Sequence, residues 1–208
     1  MSLSMWLAFL MAATVIAVSP GPGAVLSVSN GLRHGYLAAL RGIAGLETAL
    51  LLQLGVVAVG LGALVATSAT AFLVVKLVGA AYLVWLGIAK WRAPAEALAA
   101  EGGAPEGGRT RPRLFRQGLL VNLTNPKAIV FIAALVPQFV VPGRPQLPQF
   151  LIIALTMVAV DVAVMSCYAL LAARFRPLLR DARAIRLQNR LFGGLFVGAG
   201  AMLAASSR

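Results

Sequence analysis

The sequence predicts an all-α integral membrane protein with six transmembrane segments. Of its 208 residues, 60% are hydrophobic and only 12% are charged, whereas soluble domains are roughly half apolar and a quarter charged. Mean hydropathy is +0.89. A chain of this length holds about six spans of roughly 20 residues each, joined by short loops. No stretch is left over for a soluble catalytic or binding domain, so we expect the function to reside within the bilayer.

Apolar residues fall into six segments, at about residues 5–31, 36–65, 69–91, 114–141, 148–173 and 191–205. The first segment resembles a signal-peptide core, but no basic residue precedes it and no A-x-A pattern follows, so we interpret it as part of the membrane domain. The Gly-, Pro- and charge-rich stretch at about 92–113 predicts a flexible linker. The arginine-rich stretch at 174–190 is typical of an amphipathic helix on the lipid surface.

The basic residues cluster in the odd-numbered loops. The net charge is +12, yet the even loops and the C-terminus contribute only Arg144 and Arg208. By the positive-inside rule, the odd loops are cytoplasmic and both termini face outward, unless the broken first segment re-enters. Basic residues at the ends of apolar segments indicate lipid contact and argue against nucleic acid as a partner.

Two apolar segments contain helix-breaking residues. The first carries "SPGPG", formed by Ser19, Pro20, Gly21, Pro22 and Gly23, and the fourth carries "NPK", formed by Asn125, Pro126 and Lys127. Asn is a favoured helix N-cap and Pro is favoured at the next position, so "NPK" predicts a new helix start inside the segment. A lysine at that positive helix end favours a bound anion, and Asn122 lies on the same side. The alternative is a proline kink stabilised by a neighbouring helix.

The two breaks lie at equal distances from basic residues. Pro22 precedes Arg33 by 11 residues and Lys127 follows Arg116 by 11, which places both breaks roughly 16 Å from the cytoplasmic surface, near mid-bilayer. Each break is in the first segment of a three-helix half. The pattern therefore predicts one domain, 1–208, built from two inverted repeats at about 5–91 and 114–205 with the first and fourth helices interrupted.

Four ionisable residues lie inside apolar segments: Glu47, Lys76, Lys127 and Asp161. Such residues are costly in a membrane and indicate functional sites. The alternative is that each carboxylate pairs with a lysine and only holds helices together. Lys76 is close enough to the outer surface for its side chain to reach water.

Four motifs resemble the lysine-exporter (LysE-type) superfamily, in particular its homoserine/threonine-resistance branch. They are "SPGPG", "GAAYLVWLGIAKW", "NPKAIVFIAALVPQFV" and "GGLFVGAGAML", and the resemblance covers nearly the whole chain. It implies a bacterial inner-membrane secondary transporter that exports amino acids, driven by protons or the membrane potential and without a cofactor. It also implies that both break motifs bind substrate, and it favours a homodimer. In this chain, Gly194 and Gly198 offer small residues for helix contact.

We therefore expect N–H groups after Gly23 and after Asn125 to bind an amino-acid carboxylate with help from Lys127. Glu47 or Asp161 then receives the α-ammonium or a counter-transported proton. The acids suit a cationic amino acid, whereas the apolar surroundings suit a neutral one, so the substrate stays open at this point.

Two other classes of function remain to be weighed. A membrane enzyme is disfavoured because His34 is the only histidine, Cys167 is the only cysteine, and no serine–base pair or metal cluster is evident. A channel-like protein, or an efflux protein of the same fold for another metabolite or drug, is the remaining alternative. Paired breaks near mid-bilayer favour gating around a site over an open pore.

Overall fold

The computed structural model describes residues 1–67, 69–92, 111–141, 143–172 and 181–205. These residues are almost entirely helical and contain no strand, which confirms the all-α class for this part of the chain. The helices are α1 Leu3–Val18, α2 Pro22–His34, α3 Tyr36–Thr67, α4 Ala69–Arg92, α5 Arg111–Leu123, α6 Pro126–Val130, α7 Gln146–Leu170 and α8 Ala182–Ala205. A π-helical turn, Phe131–Leu135, and a 3-10 turn, Val136–Phe139, follow α6.

Two of the described helices, α3 and α7, are long and apolar enough to cross a membrane by themselves. Two broken pairs pass the same test together: α1 with α2, bent by 57°, and α5 with the segment from Pro126 to Phe139, bent by 53°. The described residues thus provide two membrane-capable helices, or four if each bent pair is one span. The arrangement of six spans stays a prediction.

Both helix breaks occur at the predicted motifs, for local reasons. Pro22 is the first residue of α2, with Gly21 as its N-cap, and Pro126 is the first residue of α6, with Asn125 as its N-cap. Proline has no N–H to lose at a helix start and its fixed φ suits that position. The interruption of the first and fourth segments is therefore confirmed, while their depth in a bilayer stays a prediction.

The π-helical and 3-10 turns after α6 are a feature that the sequence analysis missed. Pro137 lies in the 3-10 turn and has no N–H to donate to the preceding turn, so regular α-helical bonding ends ahead of it. The helix widens before Pro137 and tightens around it. The loop that follows is held by Gln149, whose side chain accepts from the Val141 N–H at 2.8 Å and donates to the Val141 carbonyl at 3.2 Å.

The start of the last helix differs from the predicted segment at about 191–205. α8 begins at Ala182, because Asp181 caps the N–H of Arg183 at 2.9 Å and no Gly or Pro interrupts the chain before Gly193. The end of the predicted surface helix is thus continuous with the last apolar segment. Residues 93–110 of the predicted linker and 173–180 of the arginine-rich stretch lie outside the described residues, as does the side chain of Lys76 within α4.

Two large apolar clusters form most of the core among the described residues. One cluster joins α1, α3, α7 and the turns after α6 around Phe9, Leu54 and Ile153. The other joins α2, α3 and α7 around Leu26, Ile43 and Tyr168. Large apolar side chains on the outer faces of α3 and α7 are exposed, as lipid contact requires.

Glycines allow two helix pairs to touch through their backbones. A Cβ added to Gly118 of α5 would collide with the Gly42 carbonyl of α3, and one added to Gly87 of α4 would lie 2.6 Å from the Gly193 carbonyl of α8. Of the two predicted contact glycines, an added Cβ at Gly194 would lie 3.7 Å from the Trp91 side chain of α4, whereas one at Gly198 meets no atom within 4 Å. A contact between two chains through these glycines stays a prediction.

We expect the substitution Gly45→Ala to lower the thermal unfolding temperature (Tm) of the purified protein. A Cβ at Gly45 of α3 would collide with the Phe115 carbonyl of α5, and overpacking of this kind costs about 1–3 kcal/mol. Gly55→Ala is the matched control on the same helix, because a Cβ there meets no atom within 4 Å. It should leave Tm unchanged or raise it. Equal Tm values for the two variants would contradict the close packing of α3 on α5.

Candidate functional site

The two breaks lie against each other, joined by Lys127. Its ammonium donates a hydrogen bond to the Ser19 carbonyl, 108 residues earlier in the chain. Its stem passes close to Gly21, where an added Cβ would lie 3.6 Å from Nζ and 3.7 Å from Cδ. The two predicted motifs therefore form one place in the structure.

The position of Lys127 has a physical reason that the sequence analysis did not foresee. Ser19 is the C-cap of α1, so the ammonium lies at a negative helix end, where a cation is favourable. The Tyr168 hydroxyl donates to the adjacent Val18 carbonyl at 2.8 Å. Carbonyls released where α1 stops are thus satisfied by side chains from the second half of the chain. The lysine does not require a bound anion to account for its charge.

The start of α6 is held by two asparagines. Asn125 Oδ1 accepts from the Lys127 N–H at 3.1 Å, and Asn125 Nδ2 donates to Asn122 Oδ1 at 3.2 Å. Asn122 Nδ2 donates in turn to the Leu46 carbonyl of α3 at 2.9 Å. The N–H that follows Pro126 therefore already has a partner, contrary to the expectation that it is available to a substrate.

The start of α2 differs from that of α6. Its N-cap is Gly21, which supplies no side-chain hydrogen bond. The N–H groups in the first turn of a helix have no partner within the helix. Of the two helix starts, α2 is therefore the one with a positive end that no side chain caps.

The predicted acids also come together at the breaks. Glu47 of α3 is 7% exposed, and among the described residues no N–H or hydroxyl donates to its carboxyl oxygens, although Asp161 is near enough to share a proton with it. Glu47 interacts electrostatically with Asp161 of α7, which is attracted in turn to Lys127. Helices α3, α6 and α7 thus each bring one ionisable group to the same region.

A cavity of about 60 Å³ lies at the junction of the breaks. This is room for about two water molecules, whereas small-molecule pockets occupy about 300–1,000 Å³. The cavity is therefore smaller than a typical small-molecule pocket. Six predicted site residues line the cavity: Gly21, Gly23, Asn122, Asn125, Lys127 and Asp161.

The other predicted site residues lie behind that lining. Ser19 is fully buried and faces Lys127 through its carbonyl, and Glu47 is buried next to Asp161. Pro20, Pro22 and Pro126 shape the breaks and do not line the cavity.

Four cavity residues that the sequence analysis did not name lie on α7 or just after α6: Phe131, Ile132, Met157 and Met165. Met157 and Met165 line the cavity four residues on either side of Asp161, and Phe131 lines it from the π-helical turn. Residues four apart share a helix face, so the position of Asp161 could have identified the two methionines. Phe131 has no such signal, since its direction depends on the irregular turn.

Comparison with known proteins agrees with this architecture. A family model described as "LysE type translocator" matches residues 14–207. The chain belongs to the LysE family of translocators. It is therefore a membrane transport protein and not an enzyme, as the sequence predicted.

This LysE-type translocator is similar over its whole length to several bacterial proteins. It is 44% identical to the homoserine/homoserine lactone efflux protein of Salmonella typhimurium over 206 residues, which cover 99% of this chain and 98% of that protein. An uncharacterised membrane protein of Vibrio cholerae is 45% identical over 99% of each chain. The leucine efflux protein of Enterobacter sp. (strain 638) is 32% identical over 98% of this chain and 96% of its own length. No solved structure matches significantly.

Proposed function

We propose that this translocator is a secondary active exporter of amino acids, or close derivatives, located in the bacterial inner membrane. The observation that carries the proposal is the cavity at the two breaks. There a cation, Lys127, and an anion, Asp161, face the same space, beside a helix start that no side chain caps. An amino acid likewise carries one anion and one cation close together.

The two ends of the substrate bind to different elements. The carboxylate lies at the start of α2, near the N–H of Gly23, where the helix dipole favours an anion. Lys127 adds its positive charge from the opposite break. The α-ammonium binds Asp161, which lines the cavity from α7. Asn122 and Asn125 keep the second break in place, and their side chains line the same cavity.

Glu47 receives the counter-transported proton. It contacts Asp161 electrostatically but does not line the cavity, so a proton there does not compete with the substrate for space. When the substrate ammonium is bound to Asp161, the charged form of Glu47 is favoured. When no ammonium is bound, the charged form of Glu47 is disfavoured, because like charges repel strongly in apolar surroundings. This alternation links the proton to the substrate.

Export requires that this cavity, which is smaller than a typical small-molecule pocket, opens to each side of the membrane in turn. Two inverted halves of three spans each, moving about the Pro/Gly breaks, would expose the site to each side in turn. The odd loops, rich in arginine and lysine, face the cytoplasm.

Neutral amino acids are the proposed substrates. Alanine, isoleucine, leucine, phenylalanine and methionine side chains form most of the cavity wall, and they offer no second anion for a cationic side chain. The relatives named for homoserine/homoserine lactone and for leucine support this class.

Purified protein in liposomes loaded with a panel of labelled amino acids tests the proposal. We expect saturable efflux of homoserine, leucine or both, with lysine and arginine carried poorly. External unlabelled substrate should accelerate loss of label by counterflow, as in a carrier. Flux that does not saturate, or that lacks counterflow, would instead indicate a channel. Absence of amino-acid flux alongside transport of another metabolite would contradict the proposed substrate class.

A further inference from the structure

One face of α2 continues from the cavity toward the basic end of the helix. Gly23 lines the cavity, and Ser27 and Asn30 follow it by four and seven residues. At about 100° per residue, all three lie within an arc of roughly 60°, and Asn30 lies roughly 10 Å along the helix from Gly23. The α2 helix ends at His34, next to Arg33.

Both side chains on this face are polar and buried, and each has a polar atom without a hydrogen-bond partner. Ser27 is 1% exposed and Asn30 is 3% exposed. Among the residues that the structure describes, neither Ser27 Oγ nor Asn30 Nδ2 has a hydrogen-bond partner. A buried polar group without a partner costs roughly 1–3 kcal/mol, so native proteins contain few of them and each needs an explanation.

The usual solution for a hydroxyl in an apolar helix is a bond to the carbonyl four residues earlier. In the described part of the chain, four threonine hydroxyls make that bond, at 2.7–2.9 Å. They belong to Thr14, Thr48, Thr124 and Thr156. Ser27 does not make that bond, although its helix is regular around it. Its hydroxyl is thus available to another group.

Asn30 faces the place where α2, α3 and α5 meet. A Cβ added to Gly42 of α3 would lie 2.7 Å from Asn30 Nδ2 and 3.8 Å from the Leu114 carbonyl of α5. The absence of a side chain at Gly42 provides the space for the amide. Gln117, also on α5, has a buried Oε1 that no described residue contacts by a hydrogen bond. Polar atoms without hydrogen-bond partners therefore occur on α2 and on the facing helix α5.

We infer that Ser27 and Asn30 form a second binding site, which holds the charged head of an amino acid on its way from the basic side of the protein to the cavity. This inference rests on the proposed export of amino acids. The Asn30 amide donates to the carboxylate, and the Ser27 hydroxyl accepts from the ammonium or donates to the carboxylate. Both groups are uncharged, so they replace water around the substrate without a charge pair that must later be broken. In this structure Ser27 Oγ and Asn30 Nδ2 have no hydrogen-bond partner, so both are available to a substrate.

A transit site and a structural role predict opposite effects on stability. Ser27→Ala removes a buried hydroxyl that bonds to nothing in this structure, so Tm should stay the same or rise. Transport should nevertheless weaken, because the substrate loses a hydrogen bond to one of its charged groups. Ser29→Ala is the matched control, since Ser29 lies on the same helix, is only partly buried and has no place on the cavity face.

The experiment measures the KM for homoserine supplied from the side of the basic loops, together with Tm, for the full chain in liposomes. We expect Ser27→Ala and Asn30→Leu each to raise KM about tenfold, as expected for one lost hydrogen bond to a charged group. Ser29→Ala should change neither quantity.

Wild-type KM in both variants would overturn the inference, and so would a lower Tm or failed folding of Ser27→Ala. If Asn30→Leu fails to fold, Ser27→Ala decides alone. If the wild-type protein carries no amino acid, the proposed function fails and this inference fails with it. If the wild type transports and both variants match it, only the second site is refuted.

Discussion

Replacing Lys127 with methionine is expected to reduce amino-acid efflux by about a hundredfold. The methionine keeps an unbranched apolar stem beside Gly21 but removes the ammonium that contacts the Ser19 carbonyl and attracts Asp161. In the proposed mechanism the ammonium also binds the substrate carboxylate; a lost hydrogen bond to a charged group costs about 1.5–3 kcal/mol, and each 1.4 kcal/mol corresponds to about a factor of ten. Counterflow of labelled homoserine in liposomes measures the loss.

Two further variants separate a local effect from a general one. Arg116→Gln also removes one positive charge, but Arg116 is exposed on α5 and does not line the cavity, so transport should stay near the wild-type rate. The double variant Lys127→Met with Asp161→Asn removes both charges and should regain Tm without regaining transport. Wild-type efflux by Lys127→Met would refute the role of the cation.

The second large effect is expected from the two acids, and it should differ between them. Glu47→Gln should abolish uphill efflux driven by a pH gradient while leaving counterflow intact, because Glu47 lies outside the cavity lining. Asp161→Asn should lose both the uphill efflux and the counterflow, since Asp161 lines the cavity and binds the substrate ammonium in the proposed mechanism. Accumulation with and without an imposed pH gradient distinguishes the two outcomes.

Unchanged transport by both acid variants would exclude a coupling role for these residues. Identical losses in both assays for both variants would indicate that the acids act together in substrate binding. Gln53→Leu provides a comparison on α3, because Gln53 donates to the Asn122 carbonyl at 3.0 Å and does not line the cavity. Its effect should be limited to Tm.

Local chemistry explains what could be predicted from the sequence. Helix starts at Pro22 and Pro126 follow from the geometry of proline itself, and Asn125 accepts a hydrogen bond from the N–H of Lys127, two residues further on. These features need no information from distant parts of the chain. The all-α class follows from composition in the same way.

Contacts between distant residues could not be predicted in this manner. The sequence places Lys127 beside the start of α6, yet its ammonium lies at the end of α1, and only the packing of the two halves brings that carbonyl within reach. The irregular turns at Phe131–Phe139 depend on which hydrogen bonds the backbone makes where the regular α-helix ends ahead of Pro137. The polar face of α2 was missed because Ser27 and Asn30 resemble ordinary helix residues until their lack of partners is known.

The contact of α3 with α5 determines which parts of the site travel together. Where main chain meets main chain at Gly42, Gly45 and Gly118, no flexible side chains lie between the helices to absorb sliding, so we expect the two to behave as one rigid strut. Glu47 and Asn122 belong to that strut, whereas Asp161 belongs to α7. Any opening that swings α7 away from the strut changes the separation of the two carboxyls. The strength of the electrostatic interaction between the two carboxyls would then depend on how far the site is open.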